Sequence, residues 1–283
     1  MQIIPFEAAL GAEITELDAA MALAPAAKAA LRDALDAHLV LLLRNQSLDD
    51  PTLQRFSEIF GELDPPGPNP YGAPFLPAFP MINVISNIVE GGRPVGNLGA
   101  GEAVWHADMT YIAAPPKAAI LYAIEVPEGQ GDTYFANQFR AFEALDADLR
   151  EATAGLTLVH DAAHNSAGML RRGHVEPADP TETVGARHPI VRRDSRTGNR
   201  ALFLGRRPHA YIDGLPLAES ERMLDRLWAA ATRPEHVWRH SWRAGDLLIW
   251  SNLAVLHRRD AFDASARRLM HRTQIKGDQP IIE

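Results

Sequence analysis

Hydrophobic spacing along the chain first becomes regular near Pro25, which stands where a first-turn proline is harmless. Leu31 and Leu35 recur at helical intervals among alanines, and from His38 to Leu43 the sequence turns continuously apolar, as a buried strand does. A second helix is predicted to start with Asp50 as N-cap and Pro51 as its first residue, to carry an apolar stripe of Leu53, Phe56, Ile59 and Phe60, and to stop at Gly61. Strand-like runs follow at 81–86, 118–126 and 133–136, then a helix over about 139–154 ending at Gly155. Further strands are predicted at 156–160, 189–192 and 201–204, a last helix at about 218–232, and strands at 237–242, 246–250 and 268–275.

Two segments break this rhythm. Seven of the sixteen residues from Pro65 to Pro80 are proline, which suits neither a helix nor a central strand. The stretch between Asp161 and Arg187 is polar and punctuated by Gly and Pro. Lid segments are therefore expected within 62–104 and 161–187. No repeat or linker divides residues 1–283, so a single domain is expected. Many short strands with Gly and Pro turns, and a few helices, predict a mainly β fold with flanking helices, a β-sandwich or jelly roll.

Composition narrows the chemistry. The 283 residues carry 28 basic and 36 acidic side chains, a net charge of −8, which makes nucleic acid a poor partner. No cysteine is present, so thiolate metal sites, disulfides and thiol nucleophiles are excluded, and any metal must sit on His and carboxylate. No basic leader and no membrane-length apolar run is visible, so a cytoplasmic protein without a membrane partner is expected.

With 11 histidines and 36 acids, roughly 1.4 His-x-acid triplets arise by chance, and two are found. His174-Val-Glu176 lies among Arg171, Arg172, Gly173 and Pro177 and reads as solvated loop. His106-Ala-Asp108 sits where the chain can be extended, so that alternate residues aim the imidazole and the carboxylate to one side. An apolar run from Asp246 then leads to His257, a possible third ligand. Two His and one carboxylate leave three open positions on an octahedral ion, the arrangement of non-haem iron(II) oxygenases. If 268–275 is a strand, Arg268, Met270 and Arg272 share a face and two guanidinium groups enter one cavity, where they would meet carboxylates. The five arginines from Arg258 to Arg272 read equally well as a solvated surface.

Trp105-His106-x-Asp108, Gly131-Asp132-Thr133, His188-Pro189, Trp250-x-Asn252, His257 and, eleven positions on, Arg268, with Met270-His271-Arg272, occur in an order that resembles the taurine dioxygenase and 2,4-dichlorophenoxyacetate dioxygenase family of iron(II)/2-oxoglutarate enzymes. The likeness covers most of the chain. It implies a double-stranded β-helix (jelly roll) with His106, Asp108 and His257 as the iron triad, Thr133 and Arg268 on the distal carboxylate of 2-oxoglutarate, and Arg272 on an anionic substrate. The implied reaction consumes O2 and 2-oxoglutarate, releases succinate and CO2, and oxidises a small acid such as a sulfonate or aryloxyalkanoate. A homo-oligomer, dimer or tetramer, is also implied.

Two departures bear on this. The taurine-specific branch carries a sulfonate-contacting histidine before the iron motif, whereas no histidine lies between His38 and His106 and Pro65, Pro66, Pro68 and Pro70 stand there instead. Taurine is therefore disfavoured. Many relatives read Trp-Asp-Asn where this chain reads Trp250-Ser251-Asn252, which motivates the rival reading of a non-catalytic jelly roll that binds a metal or small acid. A serine hydrolase lacks its nucleophile-elbow motif. Arg206-Arg207 and the loop with His160 and His164 would line the substrate mouth, or are ordinary surface arginines and structural histidines.

Overall fold

The computed structural model describes residues 1–67, 73–278 and 281–283. Pro68 and Pro70, named above, lie outside the described residues.

Two sheets face each other. The larger has eight strands in the order Gln2–Pro5, Ala12–Thr15, Val40–Leu43, Leu247–Ser251, Ala118–Glu125, Leu269–Ile275, Asn83–Ser86 and Asn97–Leu98. The smaller has four, Val237–His240, Thr133–Asn137, Val255–Arg259 and Ala103–His106. The strand period of two sorts the large sheet's side chains onto two faces. Leu41, Leu43, Ile120, Leu247 and Ile249 pack with Leu31, Leu35, Leu53 and Phe56 of the helices Pro25–His38 and Asp50–Ser57. Their neighbours Val40, Leu42, Ala119, Leu121, Leu248 and Trp250 pack inward with Phe135 of the small sheet. Helices thus cover one face of a β-sandwich, the jelly-roll arrangement read from the sequence.

The helix Leu217–Ala231 buries Leu224, Leu227 and Trp228 in a third cluster with Phe142, Leu158 and Ile190. It covers the insert that joins the two halves of the small sheet, which contains Thr157–Val159 paired to Arg187–Pro189 and to Tyr211–Ile212. This insert brings residues 160–187 to the site.

Several boundaries differ from the sequence reading. Asp49, not Asp50, caps the second helix, its carboxylate accepting from Thr52 N at 2.9 Å, so Pro51 takes the second helical position. That helix ends at Ser57, ahead of Gly61. The helix expected over 139–154 is two, Gln138–Glu143 and Ala147–Ala152, because the chain leaves the helix at Ala144 and restarts after Asp146. Gln2–Pro5 and Ala12–Thr15 were not foreseen: the former is exposed throughout and lies at the sheet edge, so no inward and outward alternation marks it.

Candidate active site

His106 closes the Ala103–His106 strand and lies directly opposite His257 in the antiparallel ladder with Val255–Arg259. Their rings are 4.1 Å apart between centroids. Asp108 follows two residues later, with Oδ1 3.8 Å from His106 Nε2 and Oδ2 3.7 Å from His257 Nε2. The ligand atoms of these three buried side chains all lie within 4.8 Å of one another.

Protons are arranged to suit a cation there. His106 Nδ1 lies 2.7 Å from the carbonyl of Val104, which fixes the proton on Nδ1 and leaves the Nε2 lone pair toward Asp108. Burial lowers the pKa of His106 and, together with the neighbouring His106, brings that of His257 down to about 3, so both imidazoles are neutral. Burial alone would raise the Asp108 carboxyl, but Arg272 and the two imidazoles outweigh it and hold it at about 2. Asp108 Oδ2 is buried with no hydrogen-bond partner among the described residues. Two neutral imidazoles and an ionised carboxylate with an orphaned oxygen fit a divalent, oxygen- and nitrogen-seeking metal such as Fe(II).

Two cavities meet at this cluster. The outer one, about 760 Å³, is lined by His106, Asp108 and Arg272 at its floor and by Met109, Tyr111 and Arg171 among its walls. The inner one, about 60 Å³, lies between the sheets and is lined by Thr133, His257, Arg259, Arg268 and Arg272. Arg268 is 2 % exposed with no carboxylate partner among the described residues, and burial and the charge of Arg259 lower its pKa to about 9. A buried cation without an acid calls for an anionic ligand. Thr133 Oγ1 accepts from Trp242 Nε1 at 2.9 Å; because indole only donates, the hydroxyl proton is left to donate elsewhere. Arg272 donates to Asp108 Oδ1 at 2.8 Å, while its Nε is buried and unpartnered among the described residues. The tail from Arg258 to Arg272 is therefore divided. Arg259, Arg268 and Arg272 turn inward, whereas Arg267 reaches Glu125 at the surface and Arg258 lies over the Tyr134 ring.

The second histidine group behaves differently. Arg206 pairs with the buried Asp161, which also accepts from His164 Nδ1 at 2.9 Å, and His164 Nε2 lies 2.7 Å from Glu176. Glu176 is thus turned toward His164, away from the triplet it forms with His174 in sequence. The rings of His164 and His209 stack at 4.0 Å with 9° between their planes, so no single ion lies in both planes as a ligand requires. This group ties the 161–187 segment to the 206–209 turn. Arg206 lines the outer cavity, but its neighbour Arg207 turns away to Glu221 and Asp225. His160, also on the cavity wall, packs so closely over Gly205 (φ 64°) that a Cβ there would lie 2.1 Å from its Nδ1.

Asn252 is the residue whose part the sequence left unread. It is fully buried, accepts from Asp108 N, and donates to the carbonyls of Asp108 and Pro116.

The family model described as "Taurine catabolism dioxygenase TauD, TfdA family" matches residues 2–274. The chain belongs to this family. It is 31% identical over 264 residues to the alpha-ketoglutarate-dependent 2,4-dichlorophenoxyacetate dioxygenase of Burkholderia sp. (strain RASC), covering 90% of this chain and 88% of that one. It is 31% identical over 294 residues to the alpha-ketoglutarate-dependent sulfate ester dioxygenase of Pseudomonas putida, covering 99% and 91%. Among solved structures, a taurine dioxygenase from Burkholderia xenovorans matches with a TM-score of 0.79 and 31% identity over 100% of this chain and 96% of that one. The TauD/TfdA chain is therefore an enzyme of the alpha-ketoglutarate-dependent dioxygenase class, with Fe(II), 2-oxoglutarate and O2 as its cofactor and cosubstrates. Among the described residues, no helix is long and apolar enough to cross a membrane.

Proposed function

We propose that the protein oxidises, by hydroxylation, a small anionic substrate such as a sulfonate, an aryloxyalkanoate or another carboxylate, with succinate and CO2 as the co-products of 2-oxoglutarate. His106, Asp108 and His257 hold the metal, Thr133 and Arg268 bind the distal carboxylate of 2-oxoglutarate, and Arg272 anchors the substrate anion. The observation that carries this reading is the meeting of two unlike cavities at one ligand cluster. The small cavity holds buried guanidinium groups, Arg268 foremost, with no carboxylate partner among the described residues, and the large one has room for an organic acid. Bound Fe(II) supplies the activation of O2 that oxidative decarboxylation requires.

The protein's own work is orientation and exclusion of water. Arg268 and Thr133 fix one end of the cosubstrate, so its keto-acid end can reach only the metal cluster. Arg272 spans both cavities, which suits it to place an acid group beside the cluster. Within segments 62–104 and 161–187 of the single domain, the loop residues that line the outer cavity, Asn87, Gly99, Asn165 and Arg171 among them, act as its lids, whereas Asn83–Ser86 and Ala103–His106 belong to the sheets.

Anaerobic addition of Fe(II) and 2-oxoglutarate should produce the visible charge-transfer colour of a keto acid chelated to ferrous iron. A panel of sulfonates, aryloxyalkanoates, sulfate esters and amino acids in air should then contain members that raise succinate release above the uncoupled background. Colour with no stimulated succinate across the panel would count against the substrate class; no colour at all would count against the site.

A further inference from the structure

Arg259 is a buried guanidinium with no carboxylate partner among the described residues. It is 7 % exposed and lines the inner cavity with Arg268. Its Nη1 donates to Gly99 O at 3.2 Å, and Nη2 donates to Gly101 O. The Phe262 ring lies beneath both cations, 5.1 Å from the Arg259 guanidinium carbon and 5.8 Å from that of Arg268, and Phe262 N donates to Ala100 O at 3.1 Å. All three carbonyls of residues 99–101 are thus held, two by Arg259 at the end of the Val255–Arg259 strand and one by Phe262 in the connection that follows it. These residues lead directly into Ala103–His106, the strand that carries His106. The ladder there is irregular: Arg259 pairs with Ala103 while His257 pairs with His106, so two steps on one strand match three on the other.

Arg259 and Arg268 share this pocket with no counter-charge among the described residues that line it, and their repulsion opposes the contacts that Arg259 makes to the loop. A carboxylate seated on Arg268 cancels that repulsion. We propose that Arg259 is a positioning residue that couples occupancy of the inner cavity by a dicarboxylic 2-oxoacid to closure of the 99–102 loop, and hence to the placement of His106. This rests on the proposed assignment of the inner cavity to 2-oxoglutarate. The coupling is reciprocal, so whatever loosens the loop weakens the cosubstrate by the same factor. Pyruvate, which has the same keto-acid end and no distal carboxylate, chelates the metal without closing the loop.

The test compares the anaerobic Fe(II)-loaded protein with saturating 2-oxoglutarate or pyruvate, reading the charge-transfer colour for binding and hydrogen exchange of the peptide spanning 97–103 for closure. In the wild type both acids should give colour, and only 2-oxoglutarate should slow exchange. Arg259→Met should weaken 2-oxoglutarate by about tenfold and abolish the slowing even at saturation. Arg259→Lys, which keeps the charge, should recover most of the affinity and part of the slowing. Equal protection by pyruvate in the wild type, or undiminished protection in Arg259→Met, overturns the coupling; the first comparison needs no variant and so decides even if the variants fail to fold. Absence of colour with both acids overturns the cavity assignment together with the coupling, and colour without selective protection overturns the coupling alone.

Discussion

Asn252 and Asp108 form a closed pair of hydrogen bonds: Asn252 Oδ1 accepts from Asp108 N at 2.7 Å, and Asn252 Nδ2 donates to Asp108 O at 2.9 Å. The same Nδ2 donates to Pro116 O at 2.8 Å, so one buried amide fixes the turn after the His106 strand from both sides. The position of the Asp108 carboxylate is inherited from this backbone clamp, and Arg272 supplies the only side-chain bond to that carboxylate among the described residues.

Asn252→Ala leaves one buried N–H and two buried carbonyls unpaired. Loss of such outer support typically weakens a bound metal by ~10–100-fold, and that is the effect expected here. Titration of the variant with Mn(II), followed by electron paramagnetic resonance, reads this directly. Wild-type affinity in a folded Asn252→Ala protein would show that Asp108 is placed by other contacts.

The two inward arginines of the Leu269–Ile275 region should separate in function. Arg268→Met removes one of the cations of the inner cavity, the one assigned to the distal carboxylate, and should weaken 2-oxoglutarate, measured by the anaerobic charge-transfer colour, by about 100-fold, the loss expected when a buried charge-assisted bond is deleted. Arg272→Met should leave the colour within about threefold of wild type while stimulation of succinate release by any active acid in the panel disappears. Equal loss of colour in both variants would mean that the cavities do not divide the two acids as described.

The legible part of this protein was chemistry carried by short spacings. His106 and Asp108 are two residues apart at a strand end, and Arg268, Met270 and Arg272 recur with the strand period, so sequence alone brings each set together. The apolar run that ends at His257 offered it as a possible third ligand, but the likeness to a family was needed to join it to the other two, since nothing in residues 246–257 states that this strand pairs with Ala103–His106. Asn252 and Arg259 were harder, because their importance lies in backbone carbonyls 144 and 158–160 positions away. The Asp49 cap was misread by one residue because two adjacent aspartates precede Pro51 and both satisfy the helix-start pattern. The outermost strand, Gln2–Pro5, is defined by pairing to its neighbour and leaves no burial pattern.

Asp161 is the hub of the 161–187 segment. Its buried carboxylate accepts from Arg206, from His164 Nδ1 and from the backbone N–H groups of Ala163 and His164. Asp161→Asn keeps one acceptor but strands the Arg206 charge, which should cost about 3 kcal/mol in urea unfolding and speed proteolytic cleavage within 165–180. A variant with wild-type stability and cleavage rate would remove this cluster from any account of how the segment is held.

His160 ties stability to pH. Its ring is 2 % exposed, stacks on Phe203 and has no hydrogen-bond partner on either nitrogen among the described residues, and burial pushes its pKa well below the usual 6.5. In the unfolded chain it takes up a proton near pH 6.5, but in the folded chain it stays neutral. Below that pH the unfolded state therefore binds more protons, and stability falls as pH falls, by ~1.4 kcal/mol per pH unit for one such group. His188, whose ring touches His160, is also lowered by burial, although carbonyl contacts to Thr110 and Ile112 partly oppose this, and it acts in the same direction. His160→Phe keeps an aromatic ring against Phe203 and removes one proton-binding group from the balance. Its urea-unfolding free energy should lose about 1.4 kcal/mol per pH unit less than the wild type between pH 6 and pH 5, with no comparable difference in slope between pH 7.5 and pH 8.5. Parallel curves for the two proteins below pH 6 would mean that the folded imidazole is protonated along with the unfolded one, and that a partner reaches it inside the cavity.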